Sequence, residues 1–295
     1  MNTPTETNNP APTIYSPATS ATDSNSSASA ENPPWGVPAA VLTWLTSIAL
    51  VFIIPNVFVL PYFISHYRNG TTPTEQLLFA DKTFVLLFVI GWLPAHLLTL
   101  ALIWAVGTRL GKFSFREMFA LSWPAAFGFW KSISLAITLF LAALLITAWF
   151  GAQPTDLDRI LNSSRAAALI LALIAVATAP LVEELTYRGL LYSALQRTIG
   201  RWFAVIVVST MFAGLHVWQY RQNLGAIFSI TLLSVVLTVI RARTGRLLPC
   251  FVIHLVFNGV QSIIIVVEPY LRSLLNHWRP QPTPGILISL VRFLG

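Results

Sequence analysis

Charge is scarce in this sequence. Lys, Arg, Asp and Glu together make up 10% of its 295 residues, against about 25% in an ordinary soluble domain. A soluble fold of this length needs far more polar surface, so that class is excluded. Cysteine is nearly missing as well. Cys250 stands alone, which excludes an intrachain disulfide and leaves the redox compartment unreadable. Residues 1–34 contain no Lys or Arg, and they lack the basic region and apolar core of a signal peptide. Two further absences bear on function: there is no internal repeat, and no His-Glu-x-x-His helix.

What the chain has instead is apolar length. Hydrophobic residues make up 55% of it, and the mean hydropathy is +0.70. Runs of roughly 20 apolar residues match the thickness of a bilayer core. Runs this continuous read as helices, because hydrocarbon leaves no other partner for the backbone. The expected fold class is all-α, a polytopic transmembrane helix bundle of about seven or eight spans, near 39–65, 83–107, 127–150, 166–187, 202–219, 224–240 and 247–268. Pro55, Pro61, Pro94 and Pro180 fall inside spans, which helices packed among other helices tolerate. The apolar stretch 286–294 is too short to cross alone and reads as interfacial or re-entrant. Trp35, Trp104, Trp149, Trp202, Trp218 and Tyr220 fall near expected span ends, where an aromatic belt would put them.

The chain divides into a polar tail, 1–34, expected to be disordered; amino-terminal spans, 35–160; a core, 161–268; and a tail with the short apolar segment, 269–295. The net charge of +7 does not point to nucleic acid, because the basic residues sit in short loops. With the amino terminus inside, inner loops hold Arg109, Lys112, Arg116, Arg188, Arg197, Arg201, Arg241, Arg243 and Arg246, and outer loops hold Arg68, Lys82, Arg159, Arg165 and Arg221. That imbalance places the amino-terminal tail in the cytoplasm. The expected setting is multi-pass in the plasma (cytoplasmic) membrane.

Ionisable residues inside spans are costly and usually functional. The sharpest instance is Ala179-Pro180-Leu181-Val182-Glu183-Glu184-Leu185-Thr186-Tyr187-Arg188-Gly189. Glu184 and Arg188 share a helix face at i and i+4 and can pair. Glu183 is turned about 100° away and stays available as a base. The bland alternative, two glutamates meeting the headgroups at a helix end, sets acidic groups against the macrodipole. His216 lies within an apolar run, where a lone histidine is commonly just hydrogen-bonded. His254 and Asn258 share a face inside the last span, where a helix–helix hydrogen-bond pair is the plain alternative.

Spacing links the three. Glu183 lies 17 residues before Gly200 and His216 lies 16 after it, so an antiparallel hairpin brings them level. At a rise of about 1.5 Å per residue, the return of the chain puts His254 and Asn258 within a turn or two of the same depth. A carboxylate with a neutral imidazole can deprotonate water for attack on an amide. An Asn amide and a second His can donate to the resulting oxyanion. Two histidines with carboxylates could also bind zinc. The missing zinc helix motif and the pairing of Glu184 with Arg188 favour a metal-free route without cofactor.

Glu183-Glu184-x-x-x-Arg188, Phe212-x-x-x-His216 and His254-x-x-x-Asn258, in that order within apolar helices, resemble the CPBP family, the CAAX protease and bacteriocin-processing group that includes the type II CAAX prenyl endopeptidases. The likeness spans roughly 165–265 and runs through Gly189 in the first motif. It implies a multi-span helical fold with a cavity open to one side of the membrane. It further implies Glu183 as the base that activates water, His216 as its partner, Glu184 as a structural glutamate held by Arg188, and His254 with Asn258 as the oxyanion hole. The implied partners are the lipid bilayer and a peptide or lipidated protein substrate. A catalytically dead immunity or scaffold protein would be favoured by loss of a motif residue, yet all are present. A proton-coupled transporter predicts an inverted repeat, and none is found.

Overall fold

The computed structural model describes residues 28–278, apart from 69, 71–72 and 152–154. Its elements are α1 (Val37–Tyr67), α2 (Glu75–Ala80), α3 (Lys82–Ile90), α4 (Trp92–Thr108), α5 (Phe115–Met118), α6 (Phe129–Phe150), α7 (Asp156–Ser163), α8 (Arg165–Leu173), α9 (Ala179–Glu184), α10 (Tyr192–Ile199), α11 (Arg201–Gln219), α12 (Leu224–Thr244) and α13 (Leu248–Trp278). There is no strand among the described residues. Two π-helical segments, Ile174–Thr178 and Leu185–Leu191, join α8, α9 and α10 into one continuous span.

Among the described residues, seven helical stretches are long and apolar enough to cross a membrane: Val37–Tyr67, Lys82–Thr108, Phe129–Phe150, Arg165–Ile199, Arg201–Gln219, Leu224–Thr244 and Leu248–Glu268. They fall on the seven spans expected from the sequence, so the chain is an integral multi-pass helical bundle. The stretch 286–294 lies outside the described residues, as do 1–27 of the polar tail.

In hydrocarbon, large apolar side chains gain nothing by leaving the lipid, so small residues mark the helix contacts. The fully buried positions accordingly include Ala40, Ala95, Thr99, Ala136, Ala167, Ala204, Ser234 and Thr238, whereas Leu145, Trp149, Phe203 and Trp218 are exposed. Helix α1 packs on α4, α6 packs between α12 and α13, and α11 runs along α12. Gly225 shows how close these approaches are. A Cβ there would stand 2.8 Å from the Thr147 Cα. The turn between α10 and α11 is Gly200 alone, at φ +83°, a conformation that glycine adopts without steric cost.

Residues 28–34 lie against one end of the bundle. Arg197 donates to the Pro33 carbonyl at 3.0 Å and Arg109 to that of Pro34. Trp35 departs from the belt position expected for it: it is buried, stacks on Phe119, and its indole N–H donates to the Leu190 carbonyl. Trp104, Trp149, Trp202 and Trp218 do face outward. Trp35 differs because its indole N–H finds a protein acceptor, which satisfies it away from headgroups.

Candidate active site

The local chain path around the glutamates follows from Pro180. Proline has no N–H to donate, so one carbonyl upstream loses its helical partner. The preceding turn is π-helical, with the Ala179 N–H bonded five residues back to the Ile174 carbonyl. In that register the missing Pro180 donor would have served the Ala175 carbonyl. Asn258 serves it instead, its Nδ2 donating to Ala175 O at 3.0 Å. An amide on α13 thus ties the last span to the turn that aims the glutamates.

The one-residue rotation then separates the two carboxylates. The Glu184 side chain is 1% exposed and that of Glu183 is 27% exposed. Glu184 Oε1 accepts from Arg188 Nη1 at 2.9 Å and from His254 Nδ1 at 2.8 Å. Arg188 is itself fully buried and engaged through all three of its nitrogens: besides the Nη1 bond to Glu184, Nε donates to Thr238 Oγ1, and Nη2 donates to the hydroxyl and carbonyl of Ser234. The Phe212 ring lies 4.7 Å from its guanidinium carbon. A charged pair this deep is tolerable only with its remaining donors satisfied, and α12 supplies those acceptors. Glu184 Oε2 has no protein partner among the described residues.

His254 sits between the glutamates. Because a carboxylate can only accept, the bond to Glu184 fixes the proton on Nδ1. Its Nε2 lies 3.6 Å from Glu183 Oε2. His216 is one turn beyond Phe212, its ring stacked on Phe212 at 4.6 Å and its Nδ1 donating to the Phe212 carbonyl at 2.8 Å. Phe212 also meets the His254 ring at 6.1 Å. Glu183, Glu184, Arg188 and His254 therefore form one bonded or near-contact set, and Phe212 bridges it to His216. No hydrogen bond or ion pair joins His216 to Glu183 among the described residues. The charge on Glu183 still reaches the end of α11, where burial first and that carboxylate second push the Tyr220 hydroxyl up.

Several contributors escaped the sequence analysis. Ser234 and Thr238, an i, i+4 polar pair within an apolar span, were a readable signal. Arg241 is buried beside them and donates to the Arg188 carbonyl and to Ser193 Oγ. His96 is an ionisable residue in the middle of a span, the same signal that singled out His254. It is buried on α4, and its Nδ1 lies 2.7 Å from Thr178 Oγ1. Among the described residues, no three His, Cys, Asp or Glu side chains gather as ligands to one metal ion.

Residues 165–260 match the family model described as type II CAAX prenyl endopeptidase Rce1-like. That stretch holds Glu183, Glu184, Arg188, His216, His254 and Asn258, and it falls on the family that the motifs resemble. The match supports a membrane-embedded protease. Comparison with curated proteins and with solved structures finds no match.

Proposed function

We propose that this protein is an intramembrane endopeptidase of the CAAX protease type, acting on a membrane-associated peptide or lipidated protein. The observation that carries this reading is the sorting of two adjacent carboxylates. Glu184 is buried and held by Arg188 and His254, a fixed structural charge. Glu183 is partly exposed and carries no such clamp, which suits a group that must exchange a proton.

In the proposed reaction, Glu183 takes one proton from a water positioned with the help of His216. The water oxygen bonds to the carbonyl carbon of the scissile amide as its C=O electrons move onto oxygen. Asn258 has a second N–H beyond the one given to Ala175, and that bond fixes the plane of the amide. It and the His254 ring are the proposed donors to the oxyanion. To donate from Nε2, His254 must carry both ring protons, with the two glutamates beside it balancing the charge. Collapse of the intermediate breaks the C–N bond, and protonated Glu183 returns its proton to the leaving amine. The reaction needs no metal in this reading, and the bundle sits in the plasma membrane with its amino-terminal tail inside.

A quenched, prenylated CAAX peptide incubated with purified protein tests the proposal. Wild type is expected to cleave it, and Glu183→Gln to lose turnover while inserting and melting like wild type. Near wild-type turnover in Glu183→Gln would remove Glu183 as the base. A fully folded wild type that cleaves neither this peptide nor any protein in a membrane-fraction proteome would favour a non-catalytic immunity or scaffold role. Activity lost to a chelator and restored by zinc would replace the metal-free route.

A further inference from the structure

The first π turn leaves a carbonyl that Asn258 fills, and the second π turn has a counterpart. The segment Leu185–Leu191 ends with the Tyr192 N–H bonded five residues back to the Tyr187 carbonyl. The α-helix that starts at Tyr192 returns to four-residue bonds, in which the Ser193 N–H serves Gly189. Between the two registers the Arg188 carbonyl is passed over. One more π bond would have joined it to Ser193. Arg241, in the last turn of α12, fills the gap from outside. Its Nε donates to the Arg188 carbonyl at 3.2 Å and its Nη2 to the Ser193 hydroxyl at 3.1 Å. One guanidinium thus links the two residues that the missing bond would have linked.

This is an unfavourable place for a cation. Arg241 is 1% exposed, and among the described residues no carboxylate is bonded to it. Its two acceptors are neutral, and the Tyr192 ring lies 5.8 Å from its guanidinium carbon. A buried charge without an opposite partner is disfavoured, so mere filling of space would favour an apolar residue. What the guanidinium supplies is two donors held in one plane, which a point-like ammonium does not fix.

From Arg188 the contacts run unbroken to the proposed base. Arg188 Nη1 bonds Glu184 Oε1 at 2.9 Å, and that oxygen also accepts from His254 Nδ1 at 2.8 Å. His254 Nε2 stands 3.6 Å from Glu183 Oε2. We propose that Arg241 is a positioning residue for the reaction: it locks the end of the second π turn in register, and so keeps Arg188, Glu184 and His254 in the arrangement that turns His254 toward Glu183. The inference rests on the peptidase reading. Without Arg241, the Tyr192 N–H is free to leave the Tyr187 carbonyl for the unpaired Arg188 carbonyl, one residue nearer. The π turn then shortens by a residue, the skipped carbonyl becomes that of Tyr187, and Arg188 is aimed differently at Glu184. Arg241 touches no reacting atom, and its effect passes through Arg188.

The test uses the full chain in lipid nanodiscs, with two readouts. In the first, kcat per folded molecule on the quenched prenylated CAAX peptide should fall about 10²-fold in Arg241→Met, the loss that a displacement of about 1 Å in a reacting group produces. KM should stay near wild type. The melting temperature should change far less than in Arg188→Ala, because the same substitution removes an unpaired buried cation. Arg241→Lys, which keeps one donor, should fall between wild type and Arg241→Met. In the second, the His254 Nδ1 resonance in ¹⁵N-histidine spectra should move in both Arg241 variants and stay put in Arg243→Met, two residues on and exposed. Wild-type turnover per folded molecule in either Arg241 variant would overturn the proposal. So would a loss confined to KM, or a His254 resonance indifferent to Arg241. Should Arg241→Met fail to fold, the same readings on Arg241→Lys decide. If wild type cleaves nothing, the peptidase reading falls, and the spectra alone decide whether Arg241 sets the geometry of His254.

Discussion

Removing Arg188 should unfold the protein more effectively than removing any other single side chain of the site. Arg188 and Glu184 are both 0% exposed. Arg188→Ala would delete the 2.9 Å pair to Glu184 together with the bonds to Thr238 and Ser234. His254 would then be the sole donor left on Glu184, and three acceptor atoms on α12, the Thr238 hydroxyl and the hydroxyl and carbonyl of Ser234, would lose the Arg188 donor. Breaking a buried pair on one side typically costs about 3–5 kcal/mol. At about 2–4 °C per kcal/mol for a chain of this size, the melting temperature should fall by roughly 6–20 °C. The remedy is specific: Arg188→Met with Glu184→Gln removes both charges, keeps an acceptor for His254, and should recover most of the loss. Melts of detergent-purified protein, followed by size-exclusion fluorescence, read both. The reasoning fails if Arg188→Ala melts within about 2 °C of wild type, or if the double variant is no better than the single one.

Asn258→Ala should both slow turnover and destabilise, the latter by about 1–3 kcal/mol, since it leaves the Ala175 carbonyl unpaired. Pro180→Ala restores a backbone donor, so the double variant should be less destabilised than additivity requires, which a thermodynamic cycle of the four proteins measures. Gly225→Ala should lower stability by about 1–3 kcal/mol, because its Cβ meets the Thr147 backbone rather than a movable side chain. Asp81, in the loop before α3, gives a pH dependence. Burial raises its pKa, but the Phe84 N–H, the Tyr67 and Tyr62 hydroxyls and the Thr83 N–H outweigh it and hold the carboxyl below its usual range. Its stabilisation is therefore complete above about pH 4 and is lost as pH falls through the lower folded value. Melting curves should decline on that acid limb more steeply in wild type than in Asp81→Asn.

Span positions were legible because bilayer length is written into composition. The pairing of Glu184 with Arg188 was legible because i, i+4 spacing on a helix is geometry. The placing of His254 between the two glutamates was not, since hairpin counting gives depth along the membrane but no rotation about each helix. Rotation here depends on π turns, which no periodicity in an all-apolar segment announces. Equally hidden was Asn258 bonding Ala175, although Pro180 marks an orphaned carbonyl nearby. His96 lay in plain view as an ionisable group in a span. Its link to the other polar positions required knowing that α4 packs on α9.

The π turns on either side of Ala179–Glu184 have a consequence for how this segment can change over evolution. A π turn amounts to an α-helix with one residue inserted, so each flank of the glutamate pair holds a residue of slack. Deleting one residue between 174 and 178 would let that turn relax to an α-helix and swing the glutamates by about 100°. Glu183 would lose its alignment with His254, while the span would still be long enough to cross the bilayer. The glutamate pair thus behaves as a dial set between two spacers. Its phase can drift by single-residue insertions and deletions that a hydropathy profile would not register.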